Sequence, residues 1–156
     1  MGACTVVDLL THEEVLARVP QREPFRFIDE ILELDDDHIV GTYRFHPDAD
    51  FYRGHFPGNP VTPGVILVES LAQMGIVALG IYLLAQESEA DTAKMMALFT
   101  DVNVEFAGIV NPGDRVTITA EKIFYRRRKL RSKVEMKLGD GTIVCSGTVS
   151  GMGIFK

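Results

Sequence analysis

The chain has 156 residues, of which 46% are hydrophobic and 24% charged, and its formal net charge is −6. These values exclude a disordered, collagen-like or coiled-coil chain and predict one globular domain over residues 1–156. The net negative charge argues against a general nucleic-acid binder. Two cysteines, Cys4 and Cys145, are too few for a disulfide scaffold, so we expect ordinary thiols in a reducing, cytoplasmic setting. The first residues also lack the pattern of a signal peptide.

The first fifty residues predict one short helix and two strands. Thr11 and Glu14 have the spacing of a capping box, which predicts a helix from there to about Val19. Residues 25–34 are rich in apolar side chains, and residues 38–46 alternate between apolar and polar. Both segments therefore predict strands, which a turn of three aspartates joins.

A long apolar segment follows a loop rich in proline and glycine. The loop, residues 51–64, holds three prolines and three glycines, and residues 65–85 then contain a single formal charge, Glu69. Such a segment predicts a helix about 30 Å long that is apolar on all sides and must be buried on all sides. A membrane span is the alternative for this length. Glu69, Gln73 and the lack of basic anchors at both ends argue against it.

The remaining sequence predicts strands. Four segments show partial alternation, namely residues 97–106, 114–124, 130–138 and 142–150. Turn signals separate them, and Gly139-Asp140-Gly141 predicts a two-residue hairpin. The complete pattern predicts an α+β fold, in which an antiparallel sheet of about five or six strands wraps around the long central helix.

Three residues around the start of this helix are candidates for catalysis. A buried acid such as Glu69 is costly unless it is paired or protonated, and a carboxylic acid with a raised pKa can donate a proton. An acid on an exposed face, or one with a structural partner, is the alternative. Thr62 as the N-cap and Pro63 at the first helical position would leave the Gly64 amide free to bind an oxygen that gains negative charge. A lone histidine is usually structural, but His55 lies in the constrained loop, where it could act as a base. As a base it would complete an acid/base set with an oxyanion donor.

The run GHFPGNPVTPGVILVESLAQ, residues 54–73, closely resembles the signature of bacterial 3-hydroxyacyl-acyl-carrier-protein dehydratases, the FabZ-like enzymes. Residues 20–25, 104–106 and 111–114 resemble weaker motifs of the same family. The resemblance implies a hotdog fold and a homodimer or trimer of dimers with active sites shared between subunits. No cofactor is expected, because the thioester already makes the C2 proton acidic. No metal is expected either, because nothing in the sequence resembles a metal-ligand cluster.

The same resemblance implies roles for single residues. His55 would take the C2 proton of a 3-hydroxyacyl thioester, Glu69 would assist loss of the C3 hydroxyl as water, and the Gly64 amide would polarise the thioester carbonyl. Glutamate at position 69 resembles the general dehydratases and not the isomerising branch, which has aspartate there. The sequence departs from the family's common residues at Gln21, Asn59, Thr62 and Glu105.

Two further features have open interpretations. Gln73, one turn beyond Glu69, could orient the carboxyl or be satisfied elsewhere, and Phe106 could line an acyl tunnel or belong to the core. The basic run, Arg126, Arg127, Arg128 and Lys129, predicts either a solvated hairpin or a docking patch for acyl carrier protein, an acidic partner.

Two other functions compete with dehydration. The first is an acyl thioesterase on the same fold, because thioester hydrolysis can also use an acid and a helix N-terminus. The second is a non-catalytic acyl-binding module, which would be expected to lack either the acid or the base.

Overall fold

The computed structural model describes residues 8–87 and 95–155. Its elements are α1 (His12–Arg18), β1 (Glu30–Leu34), β2 (His38–Arg44), α2 (Phe51–Gly54), a central helix (Gly64–Glu87), β3 (Met95–Phe106), β4 (Arg115–Arg126), β5 (Lys129–Leu138) and β6 (Ile143–Phe155). Cys145 is buried and unpaired, whereas Cys4 lies outside the described residues.

The strands form one six-stranded sheet in the order β1-β2-β4-β5-β6-β3, and every neighbouring pair is antiparallel. The sheet curves around the central helix, so the predicted α+β architecture is confirmed. Strands β1 and β3 occupy the two edges of the sheet. The predicted capping box of α1 is also confirmed, because the backbone and side chain of Thr11 both bond to Glu14.

The central helix has three parts: α3 (Gly64–Ala72), a π-helical turn (Gln73–Ala78) and α4 (Leu79–Glu87). It is long and apolar enough to cross a membrane, but 72% of its apolar window is buried inside the protein, as in a core helix. Residues 70–84 are all buried. The prediction of burial on every side is wrong for the first two turns, where Val65 is 76% exposed. The strands of this chain leave one face of that end uncovered.

Two predicted element boundaries also differ from the structure. Residues 25–29 lie outside β1. The backbone of Phe25 and Phe27 bonds to a side chain of the central helix, whereas the Asp29 amide already bonds to the Thr42 carbonyl of β2. The loop 51–64 contains the short helix α2, which the sequence analysis missed.

The two-residue hairpin lies in a different place from the one predicted. Strand β5 ends at Leu138 and β6 begins at Ile143, so the turn of residues 139–142 is longer than two residues. The two-residue turn is Arg127-Arg128, between β4 and β5, where both residues have positive φ angles (51° and 62°). Positive φ at both central positions is typical of the type I′ turn, whose twist matches that of the strands it joins.

Candidate active site

His55 stands directly after α2, and its amide donates to the carbonyl of Phe51 across 3.0 Å. Its side chain is half-buried, and its Nδ1 lies 2.9 Å from the carbonyl oxygen of Val61. A carbonyl oxygen can only accept, so Nδ1 carries the hydrogen of the neutral imidazole. Nε2 is left with the lone pair, which is the form that a general base requires.

A buried hydrogen bond between two hydroxyl groups holds the loop after His55. The Tyr52 hydroxyl and the Thr62 Oγ1 lie 2.6 Å apart, and the Thr62 amide donates to the Val110 carbonyl across 2.9 Å. The prediction that Thr62 is the N-cap and Pro63 the first helical residue is therefore wrong by one position. The helix begins at Gly64, with Pro63 at the N-cap, because the Thr62 hydroxyl bonds to Tyr52 and not to a first-turn amide.

Gly64 provides a helix-start amide at the protein surface. As the first helical residue, its N–H has no earlier carbonyl within the helix to bond to. The ring of Phe106 packs over it, since a Cβ atom on Gly64 would lie 3.2 Å from two of the ring carbons. Phe106 itself is 51% exposed. The amide and this aromatic ring therefore border the same uncovered, apolar surface.

Glu69 lies about one and a half turns further along the helix and is half-buried. Its Oε1 accepts a hydrogen bond from Nε2 of Gln73 across 2.9 Å. Burial raises the pKa of Glu69 above its ordinary value, and the hydrogen bond from Gln73 partly opposes this shift. The side chain consequently retains its proton to a higher pH than an exposed glutamate does.

Gln73 is fully buried, and the backbone of residues 25–27 determines which way its amide group faces. Its Oε1 accepts from the Phe27 amide across 2.7 Å, while its Nε2 donates to the Phe25 carbonyl across 3.0 Å. Because Oε1 is occupied by a donor, Nε2 must face Glu69. The Oε1 atom of Glu69 is thereby kept as an acceptor, and the proton of the neutral acid resides on its Oε2.

The structure brings some of the predicted residues together and separates others. Gln73 contacts Glu69, and Phe106 contacts Gly64. Within the described part of the chain, no hydrogen bond or ring contact joins His55 to Glu69. The analysis of the sequence missed Tyr52 and the backbone of residues 25–27. The prolines at 20 and 24 were the available signal, because irregular backbone needs partners for its polar groups.

The basic run lies at the turn between β4 and β5, where its three arginines are exposed. The Arg126 guanidinium lies over the Phe124 ring, with 5.8 Å between the guanidinium carbon and the ring centroid. Arg128 borders the same crevice as Leu84 of the central helix. Leu84 follows Glu69 by fifteen residues, or about 22 Å at 1.5 Å per residue. Within one chain, the basic run and Glu69 are therefore at opposite ends of the helix.

Comparisons with known proteins agree with this architecture. The sequence model of the FabA-like domain matches residues 19–148. The chain is 37% identical over 140 residues to the 3-hydroxyacyl-acyl-carrier-protein dehydratase FabZ of Herpetosiphon aurantiacus, covering 89% of this chain and 94% of that protein. It is 36% identical over 138 residues to FabZ of Streptococcus pyogenes, covering 88% and 94%. The chain therefore belongs to the FabA-like family, and within it resembles the FabZ proteins.

Two solved structures share the fold at low sequence identity. The dehydratase heterocomplex ApeI:P of Xenorhabdus doucetiae superposes with a TM-score of 0.73 at 16% identity, covering 91% of both chains. The thioesterase HI1161 of Haemophilus influenzae superposes with a TM-score of 0.65 at 18% identity, covering 95% of this chain and 93% of the other. The hotdog fold is therefore confirmed, and it is common to dehydratases and thioesterases.

The hydrogen bond from Gln73 predicts a measurable change in the ionisation of Glu69. In Gln73→Met, the carboxyl loses the hydrogen bond that opposes the effect of burial, so its pKa should rise further. An NMR titration of the Glu69 carboxyl carbon chemical shift against pH measures this pKa. The signal is assigned by its disappearance in Glu69→Gln. Gln86→Met serves as a control, because Gln86 bonds to the exposed Asp36. An unchanged or lowered pKa in Gln73→Met would contradict the geometry.

Proposed function

We propose that this protein dehydrates 3-hydroxyacyl thioesters on acyl carrier protein to trans-2-enoyl thioesters, in fatty acid biosynthesis or a related acyl pathway. The observation that carries the proposal is the Glu69 carboxyl, whose pKa burial raises and which Gln73 orients, on the same helix as the first-turn amide of Gly64. The FabZ relatives, which match most of the chain, support the same reaction. The buried unpaired thiol of Cys145 fits a reducing, cytoplasmic setting.

The proposed reaction uses each group once. Nε2 of His55 removes the proton from C2, and the electron pair of that C–H bond moves toward the thioester carbonyl, whose oxygen the Gly64 amide stabilises. The same electrons then form the C2–C3 double bond as the C3–O bond breaks. Oε2 of Glu69 gives its proton to the departing hydroxyl, which leaves as water. His55 returns a proton to Glu69 by way of solvent before the next cycle, and the proposal calls for no cofactor.

Replacing the acid or the base tests this function. His55→Ala and Glu69→Gln should each remain folded and lose roughly 10²–10⁴-fold in turnover, the usual contribution of a general acid or base. The assay follows absorbance of the conjugated 2-enoyl thioester and, in parallel, release of free thiol. His38→Ala is the matched control, because His38 pairs with Asp35 at the surface, away from the proposed site. Near-normal dehydration by Glu69→Gln would contradict the assigned role.

The same assay separates the two competing functions. Free thiol without enoyl product would identify a thioesterase, and the fold is compatible with one. Acyl binding without either product would identify a non-catalytic binding module.

We infer that the active unit is a homodimer, alone or within a trimer of dimers, with each active site shared between two subunits. Strand β3 is twelve residues long, lies at an edge of the sheet and has exposed apolar side chains, including Leu98, Phe99 and Val102. An exposed apolar edge favours pairing with another strand. A second copy paired along β3 would also cover the uncovered start of the central helix and could bring its own His55 to Glu69.

Mixing two inactive variants tests the shared site. After subunit exchange between His55→Ala and Glu69→Gln, half of the dimers should be mixed, and each mixed dimer regains one site with both residues intact. The mixture should therefore recover about one quarter of the wild-type activity.

Native mass spectrometry verifies that exchange has occurred. His55→Ala mixed with the His55→Ala/Glu69→Gln double variant is the control, because no combination of these chains restores a site. A lack of recovery despite exchange would place both residues of each site in one chain.

We further propose that the exposed arginines of the β4–β5 turn attract the acidic carrier protein. Residues 121–137 contain eight basic and two acidic side chains, within a chain of net charge −6. Complementary charge accelerates encounter, and salt weakens it. The distance along the helix to Glu69 is compatible with a substrate carried on the long, flexible phosphopantetheine arm.

Neutralising this turn should affect one substrate and not another. Arg126→Ala/Arg127→Ala/Arg128→Ala should raise KM for the carrier-protein substrate and weaken the salt dependence of kcat/KM, because steering is screened over about 8–10 Å. A short pantetheine thioester, which has no acidic surface, should react normally.

The matched control replaces Lys122, Lys133 and Lys137, which lie on the same two strands away from the turn. This control removes the same amount of positive charge. Equal changes in KM for the arginine and lysine variants would therefore favour the interpretation of the turn as a solvated hairpin without a docking role.

A further inference from the structure

The π-helical turn changes the hydrogen bonding in the middle of the central helix. In an α-helix, the amide of Leu79 would donate to the carbonyl of Gly75, four residues earlier. Here it donates to the carbonyls of Met74 and Ile76, five and three residues earlier. The carbonyl of Gly75 is thus released from its usual helical partner, Leu79.

The hydroxyl of Ser132 takes the place of that amide. Ser132 is fully buried on β5, and its Oγ donates to the Gly75 carbonyl oxygen across 2.7 Å. The helix backbone lies directly against the sheet at this point. A Cβ atom on Gly75 would lie 3.0 Å from Cγ1 of Val134 and 3.1 Å from Cβ of Ala120. A buried carbonyl needs a donor, and at this close contact the Ser132 hydroxyl supplies it.

The π-helical turn also determines the direction in which Glu69 points. One residue more in a turn rotates the preceding part of the helix by roughly 100° relative to the following part. The following part, α4, is fixed in the core by buried residues such as Leu79 and Ile81. The rotation of α3 therefore decides whether Gln73, the first residue of the π-helical turn, meets the backbone of residues 25–27.

We propose that Ser132 is a positioning residue for the dehydration: its hydroxyl stabilises the π-helical turn, which keeps Gln73 on residues 25–27 and directs Oε2 of Glu69 toward the substrate. The proposal rests on the proposed dehydratase function. It assigns a catalytic consequence to a side chain that is separated from Gly75 by 57 positions in the sequence. Ser132 acts only through the helix and touches no reacting atom.

Two serines of the sheet provide a matched experiment. Ser150 lies on the neighbouring strand β6 and is as fully buried as Ser132, but its Oγ has no hydrogen-bond partner among the described residues. Ser132→Ala should lower kcat about 10- to 100-fold with little change in KM, since misplacement by about 1 Å can cost about 10²-fold. Ser150→Ala removes the same atom and should leave kcat unchanged. Ser132→Thr, which keeps the hydroxyl, should restore kcat.

A double-variant comparison tests the route through Gln73. If Ser132 acts through Gln73, Ser132→Ala should cause no additional loss of kcat in the Gln73→Met background. Losses that multiply would overturn the proposal, as would equal kcat values for Ser132→Ala and Ser150→Ala.

A readout that does not depend on turnover separates this proposal from the function on which it rests. Solvent exchange of the Gln73 side-chain amide protons should accelerate in Ser132→Ala and not in Ser150→Ala. A wild-type protein without dehydratase turnover would reject the function, whereas unchanged amide exchange would reject the positioning. If Ser132→Ala does not fold, Ser132→Cys, with its weak thiol donor, should show the same changes to a smaller degree. A folded Ser132→Cys with wild-type kcat and exchange would overturn the proposal.

Discussion

The central helix must be removed from water, and the rest of the structure depends on this requirement. Residues 70–84 are buried without interruption, and burial of each large apolar side chain contributes roughly 1.5–3 kcal/mol. One strand pair cannot cover such a helix, so six strands curve around it. The contact is close enough that a Cβ atom on Gly151 would lie 2.5 Å from Cγ2 of Ile76. The sheet thus supplies the dry surroundings of the helix that holds Glu69.

Burying the helix carries an unfavourable desolvation free energy at Glu69. A carboxyl group in a largely apolar surrounding loses hydration, which disfavours its charged form and raises its pKa. Gln73 compensates only one of the two carboxyl oxygens, and its own amide group is held by the backbone of residues 25–27. The segment that fails to become a strand is therefore the segment that orients the acid. In the proposed reaction, the desolvation that is unfavourable for the charged carboxylate makes Glu69 a proton donor.

Apolar side chains are exposed at the start of the central helix and along one edge of the sheet. Val65 near the helix start is exposed, as are Leu98, Phe99, Val102 and Phe106 along the β3 edge of the sheet. The side chains of His55 and Glu69 do not contact each other in the described structure. In the proposed dimer, a second copy would cover this apolar surface and bring a histidine to Glu69.

The sequence alone determined the elements that depend on near neighbours. The capping box at Thr11, the long apolar helix and the alternating strands follow from local periodicity, and the motif around His55 and Glu69 identified the candidate site. The tertiary structure decided the features that depend on distant partners. The Phe27 amide and Gln73 are 46 positions apart, and Ser132 and Gly75 are 57 apart. Local periodicity does not indicate which distant residues will pair. Only the packing of the sheet on the helix therefore determines that the Ser132 hydroxyl bonds to the Gly75 carbonyl.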